Sequence, residues 1–399
     1  MDELTQISSY STQQIDQKSQ ELKELSFQIW SHPETCYNET HAHEVLTSFL
    51  EKEGFVVERN FIHQTGFRAT FGTNNGVNVC VICEYDALPE IGHACGHNLI
   101  AECGVAAGIA IKAALEKAPN KHGKVTILGT PAEEGGGGKL KMIEAGVFDE
   151  IHVALMAHPC PHNIPRPPLL AKQEVQITFT GKPAHAAAFP WQGVNALDAA
   201  VMCYQAISLM RQQFKPTWRV HGIFTNGGVK PSIIPDKAEL QYYLRAPTVL
   251  ELEELKSKFE GCVQGSALLA GCQASYKYDT GYLDLVTNKH LASLYEQHAT
   301  AQGLVFTTDK SVEQNESASG DIGNVSQVIP TIQPGYSIHT SDSNHTRGFR
   351  EAAGSDRAHL ATLTQAKILA LTALDLIFDD NDKTLQAIQE EFKATFGSR

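Results

Sequence analysis

The hydrophobic pattern of the first third of the chain alternates between helical and strand periods. Apolar residues recur at helical spacing from residue 15 to residue 29, and a mostly apolar run of strand length follows at 77–83. The next elements that the pattern predicts are helices at 99–115 and 139–145 and strands at 125–129 and 153–156. Such an alternation predicts an α/β fold, in which helices cover both faces of a parallel sheet.

A proline-rich segment at 159–168 interrupts this pattern. Proline propagates neither a helix nor a strand ladder, so we place a domain crossing here. Beyond it the periodicity follows the order strand, helix, strand, strand, helix, strand up to residue 278, which is the ferredoxin-like order. We therefore predict an α/β domain formed by residues 1–172 and 285–399, interrupted by a ferredoxin-like α+β domain at 173–284.

The composition is that of a globular protein, and the net charge limits the classes of partner that we expect. Apolar residues make up 42% of the chain and charged residues 19%, and the formal net charge is −13. That charge repels phosphate backbones and anionic lipid heads, so we expect neither a nucleic acid nor a membrane as partner. Nine irregularly spaced cysteines, with neither an export signal nor a long apolar run, favour the cytoplasm.

Side chains able to hold metal ions follow the predicted strands. Open parallel sheets bind ligands beyond the carboxyl ends of their strands. Cys95 and His97 follow the first strand, and two residues apart in an extended segment they point the same way and can reach one ion. A thiolate with imidazoles and a carboxylate suits zinc, while further oxygens admit manganese or cobalt. Alone, this segment is equally compatible with a buried cysteine beside ordinary histidines.

Two adjacent carboxylates, Glu133 and Glu134, end the next predicted strand. They repel each other there unless cations or protons compensate them. One interpretation is a metal site, in which one carboxylate is a ligand and its neighbour takes a proton from water; the other is a solvated acidic turn that opens a helix. His158 ends the neighbouring strand and favours the metal site. The four glycines at 135–138 lack the spacing of a phosphate-binding loop.

Five motifs, in this order, resemble those of the dinuclear metallopeptidase family, which includes aminoacylases, auxin-conjugate amidohydrolases, aminobenzoyl-glutamate hydrolase and carboxypeptidase G. They are D-A-L-P at 86–89, H-A-C-G-H-N at 93–98, P-A-E-E-G-G-G-G at 131–138, G-K-P-A-H-A at 181–186 and N-H-T at 344–346. The chain is most similar to the β-alanyl-lysine (Xaa-Arg) dipeptidase-like branch. The resemblance extends over nearly the whole chain.

The resemblance implies a role for each matched residue. The implied ligands of two divalent ions, Zn or Mn with Co as a further alternative, are Cys95, His97, Glu134, His158 and His345. Glu133 is the implied general base, and Asp86 is implied to orient a ligand. His185 matches a lid histidine that reaches the partner subunit's active site in relatives, and Arg245 matches a residue that contacts the substrate carboxylate.

The expected activity is hydrolysis of the amide bond of dipeptides or N-acyl amino acids by a metal-activated water, with Glu133 as base. The expected assembly is a homodimer joined through the lid and dimerisation domain at 173–284. The alternatives are an aminobenzoyl-glutamate or N-acyl-amino-acid amidohydrolase and, more remotely, a non-catalytic binding protein. Ser232 replaces an Asn of relatives, and Gly320 stands where Ser or Thr often precedes Asp321. We expect both differences to affect the substrate side.

Overall fold

The structure is a computed structural model that describes residues 3–309 and 318–397. The strands, numbered in chain order, are β1 (Val56–Arg59), β2 (Phe67–Gly72), β3 (Val77–Glu84), β4 (Gly123–Thr130), β5 (Val153–Leu155), β6 (His158–Cys160), β7 (Ala171–Thr180), β8 (Arg219–Asn226), β9 (Lys237–Ala246), β10 (Gln273–Tyr278), β11 (Thr331–Ile332) and β12 (Gly335–Ser337). The α-helices are α1 (Glu3–Gln17), α2 (Ser19–Ser31), α3 (Thr40–Lys52), α4 (His97–Lys117), α5 (Gly138–Glu144), α6 (Ala196–Met210), α7 (Val249–Ala270), α8 (Lys289–Ala301), α9 (Ile322–Ser326), α10 (Arg347–Ala353), α11 (Asp356–Ile377) and α12 (Lys383–Phe396).

The chain divides into two compact units. The first comprises the described residues of Met1–Pro168, Leu285–Glu316 and Gly320–Arg399, and the second those of Leu169–Asp284 and Ser317–Ser319. We call them the catalytic unit and the inserted unit. The prediction from sequence placed the insertion at 173–284.

The catalytic unit is built on a six-stranded sheet with the order β1-β2-β4-β3-β5-β11. Strands β4, β3 and β5 run parallel, as the sequence predicts, and β11 extends the sheet by pairing parallel to β5. Strands β1 and β2 were not predicted, and they add an antiparallel edge. The α/β class is therefore confirmed, but the sheet is mixed rather than fully parallel.

Helix α4 is the central helix of the catalytic unit and packs on β3 and β4. It approaches the sheet closely because it carries glycines: a Cβ on Gly104 would lie 2.4 Å from the sulfur of Cys83, and one on Gly108 would lie 2.3 Å from Ile127. Helices α1 and α11 pack against α4 in turn. Helices α4 and α11 are long and apolar enough to cross a membrane, but 94% and 67% of their apolar windows are buried inside the protein, as in core helices.

The predicted N-terminal helix is two helices. α1 ends at Gln17, α2 begins at Ser19, and Lys18 between them has φ −98° and ψ 7°. The apolar periodicity continues across this break, with Ile15 and Leu22 both fully buried. Periodicity alone therefore does not reveal the interruption.

The inserted unit is a four-stranded antiparallel sheet with the order β10-β7-β9-β8, and helices α6 and α7 pack on it. This is the ferredoxin-like topology expected from sequence. Its core is formed by inward-facing residues such as Ile177, Leu240 and Leu244 together with Phe259 of α7.

The sheet of the catalytic unit brings the carboxyl ends of β4, β3 and β5 to one edge. Glu84 at the end of β3 pairs with Thr130 at the end of β4, and Val81 pairs with Leu155 at the end of β5. The segments that follow these three strands therefore start side by side.

Candidate metal centre

Five side chains from distant parts of the catalytic unit converge beyond these strand ends. Cys95, His97 and His158 form one group, and Cys95, Glu134 and His345 form another; within each group the potential ligand atoms lie within 4.8 Å of one another. The sulfur of Cys95 belongs to both groups and lies 3.6 Å from Nε2 of His158. On the other side, Nε2 of His345 lies 3.4 Å from Oε1 of Glu134. The arrangement has the donor types of a site for two cations that share one thiolate.

The turn between Cys95 and His97 depends on glycine. Gly96 is the N-cap of α4 and has φ +82°, a conformation that L residues rarely adopt. A Cβ at this position would lie 2.7 Å from the ring of Pro159. The glycine thus lets the chain turn tightly enough for both side chains to point toward the same space.

The loop that carries His345 is hydrogen-bonded to two of the other ligand segments. The side-chain amide of Asn344 donates to the carbonyls of Cys95 at 3.3 Å and Pro159 at 3.0 Å. The backbone N–H of His345 donates to Ala94 at 2.8 Å, and His345 itself has φ +67°. These bonds place a ligand that lies about 250 positions later in the chain beside Cys95.

Asp86 connects two of the candidate ligands. Its Oδ1 lies 3.0 Å from Nδ1 of His97, and its Oδ2 accepts a hydrogen bond from the backbone N–H of Glu134 at 2.9 Å. This contact directs Nδ1 toward the carboxylate and leaves Nε2 facing Glu84, Glu133 and Glu134 at 3.7–3.9 Å. Nε2 is buried and has no hydrogen-bond partner among the described residues, as expected of a nitrogen that binds a cation.

The electrostatics of the two adjacent glutamates differ. Burial, followed by the charges of Glu134 and Glu84, raises the pKa of Glu133 well above its usual value. Burial also acts to raise the pKa of Glu134, but His345 and His97 outweigh it and lower that pKa. Burial and the charge of Glu134 raise the pKa of the Cys95 thiol. Bound cations would remove these conflicts, because they favour both the thiolate and the carboxylates. The residues present therefore fit a metal site.

A buried lysine, which the sequence did not single out, lies behind this site. Nζ of Lys139 is 2.6 Å from Oε1 of Glu84 and 2.6 Å from Oδ1 of Asp321, and Oδ2 of Asp321 accepts from the backbone N–H of Lys139 at 3.0 Å. None of these three side chains is more than 1% exposed. Burial acts to lower the pKa of Lys139, but the two carboxylates outweigh it and raise that pKa, so the lysine stays charged.

Gly320 lies beside the candidate general base. A Cβ at this position would be 2.8 Å from Oε1 of Glu133. The nearest neighbour of this glycine is therefore the carboxylate of Glu133, and its expected effect on the substrate side stays a prediction. A serine or threonine here would require that carboxylate to move.

The other three predicted site residues belong to the inserted unit. His185 is exposed, and its Nδ1 accepts hydrogen bonds from the backbone N–H groups of Ala187 and Ala188 at 3.2 and 3.1 Å. Ser232 is exposed and its carbonyl accepts from Ala186 at 3.0 Å. Arg245, near the end of β9, donates to the hydroxyl of Ser319 at 3.0 Å.

Known proteins share both the sequence and the fold. A family profile described as a peptidase dimerisation domain matches residues 172–268. The Xaa-Arg dipeptidase of Mus musculus is 46% identical over 98% of this chain and 93% of its own length. The chain belongs to the dinuclear metallopeptidase family. A p-aminobenzoyl-glutamate hydrolase chain of Escherichia coli is a more distant member, with 29% identity over 94% of this chain and 93% of its own.

A solved structure of this family agrees with the fold. The dinuclear metal-binding peptidase of Bacillus subtilis superimposes with a TM-score of 0.68, at 19% identity, over 90% of this chain and 99% of its own. The present metallopeptidase is therefore a metal-dependent hydrolase with a catalytic α/β part and an inserted dimerisation domain.

Replacing Asp86 by Asn should weaken metal binding by about 10- to 100-fold, the usual effect of losing a partner that orients a ligand. Asp86 pairs with His97 through Oδ1 and with the Glu134 backbone through Oδ2, and an amide has only one acceptor oxygen, so one of these two groups loses its acceptor. Competition with a chelator measures the affinity, and Asp149→Asn, at an exposed site, is the control. Equal affinities of both variants would contradict the role of Asp86.

Replacing Lys139 by Met should lower the free energy of unfolding by about 3–5 kcal/mol, because two buried carboxylates lose their cation. Burial already raises the pKa of Asp321 while Lys139 opposes that rise, so removing the lysine raises this pKa further. A carboxyl whose pKa is higher in the folded than in the unfolded protein costs stability only above its unfolded pKa. The loss should therefore be larger at pH 8 than near pH 4.

Urea unfolding of Lys139→Met at the two pH values measures this effect. Lys141→Met, at an exposed position of the same helix, is the matched control and should unfold almost as the parent protein does. A loss of stability that does not change with pH would show that the buried carboxylates are not its cause.

Proposed function

We propose that this metallopeptidase is a dipeptidase, with dipeptides that end in a basic residue as its first candidate substrates. The observation that carries the proposal is the convergence of Cys95, His97, Glu134, His158 and His345, with the carboxylate of Glu133 beside them. The substrate class is supported by the high identity to a mouse protein named for cleaving Xaa-Arg dipeptides.

Two divalent cations would be held by these five residues, and Cys95 would contribute to both sites. The soft thiolate and the imidazoles favour zinc, while the carboxylates also admit manganese or cobalt. When bound, such cations acidify water and polarise the carbonyl of the scissile amide.

Glu133 is the proposed general base. It accepts a proton from the attacking water at its carboxylate and returns it to the nitrogen of the leaving amine. Its side chain is only 13% exposed, and its raised pKa suits a group that must both take up and release a proton. Asp86 orients His97 and fixes the backbone of Glu134, and so has a positioning role.

Residues of the inserted unit are proposed to contact the substrate. The guanidinium of Arg245 presents the donor pattern that binds a carboxylate. Nδ1 of His185 accepts from two backbone N–H groups, so the neutral imidazole carries its proton on Nε2, which can donate to the oxygen of the tetrahedral intermediate. Ser232 lies next to Ile233, which forms an antiparallel β-bridge with His185, so the loops that carry Ser232 and His185 lie side by side.

The proposed assembly is a homodimer formed through the inserted unit, in which His185 acts at the partner's catalytic centre. The match of residues 172–268 to a peptidase dimerisation domain supports the dimer. The proposed location is the cytoplasm, because all nine cysteines are free thiols in the structure.

An amidohydrolase that acts on aminobenzoyl-glutamate or N-acyl amino acids is the second candidate, favoured by the more distant E. coli relative. Hydrolysis of Xaa-Arg and Xaa-Lys dipeptides, N-acyl amino acids and aminobenzoyl-glutamate, each with added Zn, Mn or Co, distinguishes the two. Preference for the dipeptides supports the proposal, and preference for aryl or acyl substrates contradicts it.

Replacing Glu133 by Gln should lower kcat by about 10²- to 10⁴-fold, the usual contribution of a general base. Metal content, measured by elemental analysis, should stay unchanged, because Glu133 is not a proposed ligand. Glu134→Gln is the matched control at the next position and should lose metal. Loss of metal from Glu133→Gln would instead make Glu133 a ligand.

A mixture of His185→Ala and Glu133→Gln chains should recover activity that neither variant has alone. If His185 acts across the interface, a heterodimer has one site with both defects and one site with none, so a random mixture should regain about a quarter of the parent activity. Two affinity tags allow the heterodimer to be isolated and assayed. A heterodimer as inactive as its parents would mean that His185 does not act on the partner's site.

A further inference from the structure

The residue before the general base has a strained backbone. Ala132 has φ +61°, in the left-handed region that L residues rarely adopt. It is completely buried, so contacts with neighbouring groups must hold it in this conformation. Its carbonyl accepts from the N–H groups of Gly136 at 2.9 Å and Gly137 at 2.8 Å, which fixes the following turn.

The N–H of Ala132 is held by a carboxylate from a distant element. Oε1 of Glu39, the N-cap residue of α3, accepts from this N–H at 2.9 Å and from the N–H of Tyr37 at 2.9 Å. Its Oε2 accepts from the hydroxyl of Thr65 at 2.7 Å. Glu39 is completely buried, so every bond it makes is to the protein interior.

Glu133 thus lies between two backbone anchors. The N–H of Ala132 before it is held by Glu39, and the N–H of Glu134 after it is held by Asp86. Rotation of Ala132 toward an ordinary φ would turn the following peptide and move the Glu133 carboxylate. Among the described residues, Glu39 is the only hydrogen-bond partner of the Ala132 N–H, so the bond to Glu39 restrains this rotation on the amino-terminal side of Ala132.

We propose that Glu39 is a positioning residue for the general base: it holds Ala132 in its left-handed conformation and so aims the Glu133 carboxylate. This inference rests on the proposed function through the role of Glu133. Glu39 contacts neither the substrate nor the candidate ligands in this role, and it acts only through the backbone of Ala132.

Replacing Glu39 by Ala should lower kcat at least about tenfold, while KM changes less than about threefold and metal content stays unchanged, as expected of a group needed only to aim the base. Glu39→Gln should keep most of the activity, since its amide oxygen can accept from both backbone N–H groups. Glu34→Ala is the matched control: Glu34 also accepts from N–H groups at the start of α3, at His41 and Ala42, and should leave kcat unchanged.

The deciding measurement is rescue by Ala132→Gly. Glycine adopts a positive φ without strain, so the double variant Glu39→Ala/Ala132→Gly should have at least about threefold higher kcat than Glu39→Ala alone. A purely structural role of Glu39 in α3 gives no such rescue. If Glu39→Ala does not fold, Glu39→Asp, whose shorter side chain withdraws from Ala132, takes its place in the same comparison. No rescue in a folded pair of variants would overturn the inference.

Hydrogen exchange at the Ala132 amide separates this inference from the proposed function. The amide should exchange at least about tenfold faster in Glu39→Ala than in Glu34→Ala, because only the former loses its acceptor. Equal exchange would overturn the role of Glu39 whatever the enzyme hydrolyses. A parent protein that hydrolyses none of the amides tested would contradict the proposed function, and the exchange result would still decide the anchoring contact.

Discussion

The sheet of the catalytic unit concentrates negative charge at an edge that is almost closed to water, and compensation of that charge organises the site. Glu84 and Asp321 share the ammonium of Lys139 with no side chain more than 1% exposed. Asp86 pairs with His97. Glu133, Glu134 and the thiol of Cys95 instead lie among the side chains that could hold a cation. The acidic cluster thus divides into an inner group, which is paired with protein side chains, and an outer group suited to cations.

This division explains why a site for cations can exist beside a buried lysine. Lys139 engages Oε1 of Glu84, whose Oε2 lies only 3.7 Å from Nε2 of His97. A carboxylate so close to a candidate ligand would compete with the proposed ligands for a bound cation if it had no cationic partner within the protein. Because Lys139 is fixed by the side chain and backbone contacts of Asp321, it holds Oε1 of Glu84 on the inner side, and only Oε2 is directed toward His97.

Much of the architecture was predictable because burial leaves a strong pattern. Strands β3 and β4 and helix α4 are buried almost throughout, and their apolar runs gave their positions within a few residues. Strand β1 was missed because it is a short edge strand with exposed alternate positions. The donors that follow the strands were found by a general rule about strand ends.

The supporting contacts of the site were not predictable in the same way. Lys139 meets Asp321 across 182 positions, and Glu39 meets Ala132 across 93. No periodicity or characteristic spacing in the sequence marks either pair, because each contact depends on where the completed fold brings two chain segments together. The sequence does not predict the positive φ of Ala132 either, because alanine gives no sign of a left-handed backbone.

Two residues at the site, one of them a candidate ligand, have a left-handed backbone, and both are held by hydrogen bonds from elsewhere in the fold. Ala132 precedes Glu133 and Glu134, and His345 is itself a candidate ligand; their φ angles are +61° and +67°. Glycine would adopt these angles without strain, but its greater backbone freedom would leave the neighbouring side chains less fixed in position. Ala132 is restrained by Glu39, and His345 is restrained by the carbonyl of Ala94. Each L residue therefore has fewer conformations to lose when a cation binds. The fold meets the cost of ordering the donors before any cation arrives, so the free energy of binding is not spent on arranging the loops.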